Sequence, residues 1–305
     1  MKQYICLILI AVFSVTSCST ATPTDDKLQK LKVVATTTFV GEAVKQIGDD
    51  AIDLTVLLSA GENPHSFEPT PRDMTSLSNA DIVFINGVGL EVFLNDLLDN
   101  VGGHAEVVSV SDGIELHEVS NSVIDNHGIL DPHVWMDPNN VILWIQQIAN
   151  TLSHFDETQA AQYRANAADY QIKLENLDIW VHAQIAQIPV ENRVLISDHL
   201  SFGYFADRYG LVQLGAVIPS ATTEAQPSGR QIAALHDLIQ EHDVQAIFVD
   251  IDSDSALSER VAEDSGIKII ALYLGSLTPP GSPADSYINF TRYNVNAIVG
   301  ALKQK

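Results

Sequence analysis

Cysteine is almost missing from this chain: 2 in 305 residues, Cys6 and Cys18, both at its start. Everything after them is closed to disulfides, thiol redox chemistry and cysteine-ligated metals. Basic residues are scarce too. Lys and Arg number 16 against 39 Asp and Glu, a formal net charge of -23. That balance argues against a basic patch for nucleic acid or an anionic membrane surface. An acidic field attracts cations, but solubility explains it equally well. Long apolar runs are also lacking: Ile5–Val15 is too short to cross a bilayer as a permanent helix. No Ser/His/Asp order, P-loop or Cys-x-x-Cys motif occurs. Asn86-Gly87-Val88-Gly89-Leu90-Glu91 has Val92 where a dinucleotide fingerprint needs its third glycine, and reads as a tight turn after a strand.

What is present begins with the N-terminus. Lys2, the short apolar run and Val15-Thr16-Ser17-Cys18 look like a bacterial lipoprotein signal. Residues 1–17 are expected to be a signal peptide, with Cys18 lipidated as the new N-terminus. Several acyl chains on one end hold a protein stably at a membrane. Residues 18–30, rich in Ser, Thr, Pro and Asp, read as a flexible tether.

From Leu31 the pattern alternates. Strand-like runs at Lys32–Ala35, Ile52–Leu58, Asp81–Ile85 and Ala105–Val108 are separated by helical segments at Val40–Ile47, Pro71–Leu77 and Leu90–Leu98. A helical pattern follows from Asp137 to Phe155. Glu157–Ile188 then reads as one long helix without internal Gly or Pro, N-capped by Asp156 and ended by Pro189. The alternation resumes with strands at Arg193–Ile196, Leu211–Val217, Ala246–Val249 and Lys268–Leu272, and helices at Phe202–Tyr209, Gly229–Glu241, Ser255–Asp264 and Asp285–Leu302. Near-continuous apolar strands alternating with helices predict mostly parallel sheets covered on both faces. The expected architecture is α/β: an N-terminal lobe over residues 31–156, a rigid linking helix over 157–188, and a C-terminal lobe over 189–305. The length suffices for two lobes with separate cores.

Three histidines stand out. His65 lies in Asn63-Pro64-His65-Ser66-Phe67-Glu68-Pro69, His133 in Asp131-Pro132-His133-Val134-Trp135, and His199 in Ser197-Asp198-His199. Two follow a proline, whose fixed φ stiffens the approach to the ring. His65 and His199 follow expected strands of different lobes, where open α/β sheets bind ligands, and His133 joins from a loop. Three imidazoles meeting in one inter-lobe cleft would make a transition-metal site. His104, His154, His182, His236 and His242 read as surface or satisfied residues. His117 and His127 flank the loop Glu118–Asn126; a solvated loop is a simpler reading than a relay feeding metal inward.

At these motifs the chain resembles the zinc/manganese solute-binding lipoproteins of bacterial ABC importers, some of which are named adhesins. The likeness rests on the lipoprotein signal, Asn63–Thr70, Asn86–Glu91, Asp131–Pro138, Asp198–Phe205 and Arg292-Tyr293-Asn294. It implies two Rossmann-like lobes joined by a long helix, a metal in the cleft, and His65, His133 and His199 as its first three ligands. A third histidine, where manganese members usually carry glutamate, leans toward Zn2+ over Mn2+, in keeping with imidazole preference. The chain departs from the family at the fourth ligand, where Gly275 replaces the usual aspartate. Asp250, water or hydroxide, and more weakly Asp285 are the replacements.

The resemblance implies an extracytoplasmic binding protein that captures a metal ion and delivers it to a membrane permease, without catalysing a reaction. Its expected partners are that permease and, through lipid on Cys18, the membrane; a monomer is expected. A helical connection disfavours a wide hinge swing, so a modest lobe or loop movement would release the ion. The rival reading is a zinc hydrolase using water on three histidines, with Glu68 or Asp250 as general base. Surface adhesion has no signal beyond anchoring and the family's naming.

Overall fold

The structure, a computed structural model, describes residues 30–94, 104–119 and 129–303. The signal peptide, Cys18, the tether up to residue 29, His127 and the end of the helix expected over Leu90–Leu98 lie outside the described residues.

The first lobe begins with β1 (Leu31–Ala35), α1 (Thr38–Gly48) and β2 (Ile52–Val56), then α2 (Pro71–Ser78), β3 (Ile82–Ile85) and β4 (Glu106–Ser109). The helices start where the sequence supplies caps. Thr37 accepts the N–H of Val40, and Thr70 and Asp73 form a reciprocal capping box in front of Pro71. All four strands run parallel in the order β2-β1-β3-β4. Because β1 is followed by β2 on one side and β3 lies on its other, the sheet has a switch point beyond the carboxyl ends of β1 and β3.

A short antiparallel pair, β5 (Glu118–Val119) and β6 (Ile129–Leu130), precedes the chain's return to helix. It was not expected from the sequence; two-residue strands carry too few side chains to show a period. Then come α3 (Pro138–Phe155), capped by Asp137 with proline in its first turn, and α4 (Ala160–Ile185). α4 is shorter than the expected Glu157–Ile188. Asp156 is not its N-cap: Gln159 holds that position without a side-chain cap bond, and Asp156 instead accepts the N–H groups of Thr158 and Gln159, which spends residues 157–159 on a turn. At 26 residues α4 is still about 39 Å long. It packs along α3 and touches α1 of the first lobe and the last helix of the second.

The second lobe comprises β7 (Val194–His199), α5 (Gly203–Tyr209), β8 (Val212–Ile218), α6 (Gly229–Glu241), β9 (Ala246–Asp250), α7 (Ala256–Ser265), β10 (Lys268–Leu272) and α8 (Tyr287–Leu302). Its sheet is also parallel, in the order β10-β9-β7-β8, with the switch point between β7 and β9. The fold is therefore two α/β lobes, each with a parallel sheet, linked by helices.

Each sheet's outer face has a small core of its own: Val34, Leu57, Leu77, Val83 and Leu94 in the first lobe, and Ile196, Val217, Leu235, Ile239, Ile247, Val249 and Val261 in the second. The inner faces share one continuous apolar cluster running through both lobes. At its junction Phe39 of α1 stacks on Trp135 at 5.1 Å and meets Phe290 of α8 edge-on at 4.8 Å. Dispersion summed over such a close-packed seam resists separation of the lobes on that side. Among the described residues no helix is long and apolar enough to cross a membrane.

Candidate metal centre

The three expected histidines converge. His133 Nε2 is 3.1 Å from His65 Nε2 and 3.1 Å from His199 Nε2, and one ring nitrogen of each lies within 4.8 Å of the others. Two nitrogens on a tetrahedral ion with bonds of about 2.0–2.1 Å stand roughly 3.3–3.4 Å apart. Both His133 distances fall close to that spacing and the His65–His199 pair lies within 4.8 Å, so the three rings are in reach of one ion. His133 and His199 are buried, and His65 is half-buried toward the cleft mouth.

Their positions follow from the fold. His65 sits on the loop after β2. His199 is the last residue of β7, at its sheet's switch point, rather than following a strand that ends near Ile196 as the apolar pattern suggests. His133 precedes a single 3₁₀ turn, Val134–Met136, which buries Trp135 beside it. The indole stands edge-on to the His133 ring at 5.2 Å. It donates from Nε1 to the carbonyl of Leu274 at 3.2 Å, while Tyr287 Oη donates to the carbonyl of Trp135 at 2.7 Å. A first-lobe loop is thereby fastened to the second lobe.

Two aspartates that sequence reasoning passed over orient the rings. Asp131 Oδ1 accepts both the backbone N–H and Nδ1–H of His133, at 3.0 and 2.7 Å. Asp198 Oδ1 does the same for His199, at 2.7 and 2.9 Å, and its Oδ2 accepts the N–H of Asp250. A carboxylate on Nδ1 fixes the proton there and leaves the Nε2 lone pair free. Two such lone pairs then face each other at 3.1 Å, an arrangement that a shared cation stabilises. The available signal was a carboxylate two residues before His133 and one before His199.

Asp250 does not join the cluster. Its oxygens accept backbone N–H groups of Asp252, Leu274 and Gly275 at 3.2 to 3.4 Å. Burial and the nearby Asp198 charge push its carboxyl up to about 6. Asp285 is at the start of α8, bonded to Gly281 and Asn289, and Glu68 is exposed. His117 stacks on Tyr204 at 4.2 Å and lies 3.9 Å from Asp207, outside the cluster.

Burial and the neighbouring imidazoles hold His65 well below the usual histidine range. Burial also lowers His133, outweighing its bond to Asp131. Burial opposes protonation of His199 as well, but Asp198, reinforced by Asp250 and Asp131, outweighs it and the pKa is raised. A metal needs all three unprotonated, so affinity falls as pH falls through each pKa. His199 is the first to take a proton, above pH ~6.5, whereas His133 competes only below it and His65 well below it. The expected profile loses about tenfold in apparent affinity per pH unit for each proton displaced, with the first loss already above pH 6.5. Titrations from pH 8 to pH 5 measure it; a flat profile would contradict it.

A two-lobed α/β fold with three oriented imidazoles between its sheets defines a metal-binding protein of the capture type. The family model "Zinc-uptake complex component A periplasmic" matches residues 33–301. The chain belongs to this family, the extracytoplasmic metal-binding, solute-binding lipoproteins of ABC importers. It is 31% identical over 299 residues to the manganese-binding lipoprotein MntA of Halalkalibacterium halodurans, covering 98% of this chain and 97% of that one. Over 296 residues it is 31% identical to the iron ABC transporter substrate-binding lipoprotein MtsA of Streptococcus pyogenes serotype M1, with 95% and 94% covered. Among solved structures, the periplasmic zinc binding protein TroA from Treponema pallidum matches with a TM-score of 0.81 at 25% identity, covering 90% of this chain and 100% of that one. The protein is thus an extracytoplasmic, non-catalytic transport component. Membership in this family of transport components argues against the hydrolase alternative.

Proposed function

We propose that this chain captures Zn2+ outside the cytoplasmic membrane with His65, His133 and His199 and hands it to the permease of an ABC importer, held nearby by lipid on Cys18. The observation that carries the choice of metal is the donor set: three imidazole nitrogens in reach of one point and, among the described residues, no carboxylate with them. Imidazole suits zinc, whereas manganese favours sites richer in oxygen. Water completes the tetrahedron in this reading, because the Asp250 oxygens are engaged with backbone N–H groups. The relatives pull in several directions, one described as manganese-binding, one as an iron transporter component and one as zinc-binding. Mn2+ is therefore the second reading, favoured by the first of these names.

Any nitrogen site prefers zinc to manganese to some degree, so the ratio is the informative quantity. Competition against a chromogenic chelator should give Zn2+ an advantage of more than about a thousandfold over Mn2+ at a three-imidazole site. A ratio under about tenfold would favour the manganese reading.

A further inference from the structure

His65 is held differently from the other two histidines. Among the described residues no carboxylate bonds its ring; its place is set through the backbone. The loop that carries it, residues 57–70, continues from the first lobe's sheet but fastens to the second lobe at three points. The N–H of Gly61 donates to Ser276 Oγ at 2.8 Å. Asn63 Nδ2 donates to Thr223 Oγ1 at 3.0 Å. Pro64 lies against Gly275, where a β-carbon would come within 3.0 Å of Pro64 Cδ.

Asn63 is the joint of this attachment. Its Oδ1 accepts the backbone N–H of His65 at 2.9 Å. That N–H can only donate, so the amide orientation is fixed and Nδ2 must face Thr223. One side chain thus connects the backbone of His65 to a hydroxyl on the loop between β8 and α6 of the opposite lobe. On the far side the lobes share a continuous core that includes Phe39, Trp135 and Phe290, which a wide swing would expose to water. Movement that frees a bound ion therefore falls on the loop, and the loop's ties include single hydrogen bonds between partly exposed groups.

We propose that Asn63 and Thr223 form a latch across the cleft, with Asn63 a positioning residue that keeps His65 at the other two imidazoles and whose release from Thr223 precedes metal release. This rests on the metal-site reading above. A contact completed in the bound state slows dissociation more than it speeds association. Threonine or serine supplies the acceptor oxygen; valine, of the same shape as threonine, does not.

The test is stopped-flow kinetics on the folded chain, loaded with Zn2+ and mixed with excess chelator, and on the metal-free chain mixed with Zn2+. One neutral hydrogen bond predicts that Thr223→Val speeds Zn2+ loss about three- to tenfold. Association should change less than about twofold, since the bond closes late. Thr223→Ser should behave as the parent, and Thr223→Val added to Asn63→Ala should have no further effect. A Thr223→Val dissociation rate equal to the parent's, a rise shared by the serine variant, or an equal fall in association overturns the latch. The metal-site reading fails separately, if His65→Ala leaves Zn2+ affinity unchanged.

Discussion

Replacing His133 with alanine lowers the affinity for Zn2+ by at least about a thousandfold, well beyond the 10–100-fold typical of losing a group that only supports a ligand. His133 is the middle member of the cluster, 3.1 Å from each of the others, so its loss leaves two donors instead of three. It also leaves Asp131 buried without its imidazole partner. Asp131→Asn is the informative companion. It spares the ring but removes the charge that holds the proton on Nδ1, and the expected loss is about 10–100-fold. His154→Ala, on an exposed face of α3, should change nothing. Competition titrations compare the three; a His133→Ala affinity within tenfold of the parent would contradict the site as described.

Asp178→Ala should strike stability rather than binding. Asp178 projects from α4 and accepts Arg208 Nε and Nη2 at 3.1 and 2.6 Å, Tyr209 Oη at 3.0 Å and Asn139 Nδ2 at 3.2 Å. It thereby joins α3, α4 and α5. Burial alone would raise its pKa, but the bonds from Arg208 and Tyr209 win and it is lowered. Removing the carboxylate strands a buried tyrosine hydroxyl and a partly exposed guanidinium. We expect a loss of about 3 kcal/mol, at the low end for broken buried pairs because Arg208 retains water. That corresponds to a Tm lower by roughly 6–12 °C. A carboxylate with a depressed folded pKa contributes fully above its unfolded pKa of about 3.9 and loses the contribution as pH falls through the folded value. The gap between parent and variant should therefore narrow below pH ~4. Thermal unfolding at pH 7 and pH 3.5 measures both; a loss under about 1 kcal/mol at pH 7 would show that the network adds little.

The eight long strands were legible because each carries a continuous or periodic apolar run, although β2 and β4 leave most of theirs only partly buried or exposed. The ends were less so. β7 extends through Ser197-Asp198-His199, residues whose polarity argues against a strand, because Asp198 and His199 satisfy each other and the backbone at the sheet's carboxyl end. The β5–β6 pair was invisible for want of length. In the candidate centre, the three histidines could be picked out by their proline and strand contexts and by family likeness. The aspartates that orient two of them, Asp131 and Asp198, were in plain view beside His133 and His199, yet nothing in a linear motif separates a carboxylate that turns back onto its neighbour from one that faces solvent. The fate of Gly275 was the least legible. Its position is filled by the ring of Pro64 from the opposite lobe, a contact between residues more than two hundred positions apart.

X-ray absorption at the zinc edge, on the chain loaded with one equivalent of Zn2+, counts the imidazoles around the ion directly. Three histidine nitrogens at about 2.0–2.1 Å with one light oxygen neighbour are expected. A first shell with fewer than three imidazoles, or one dominated by carboxylate oxygen, would contradict the assignment of His65, His133 and His199 to a single ion.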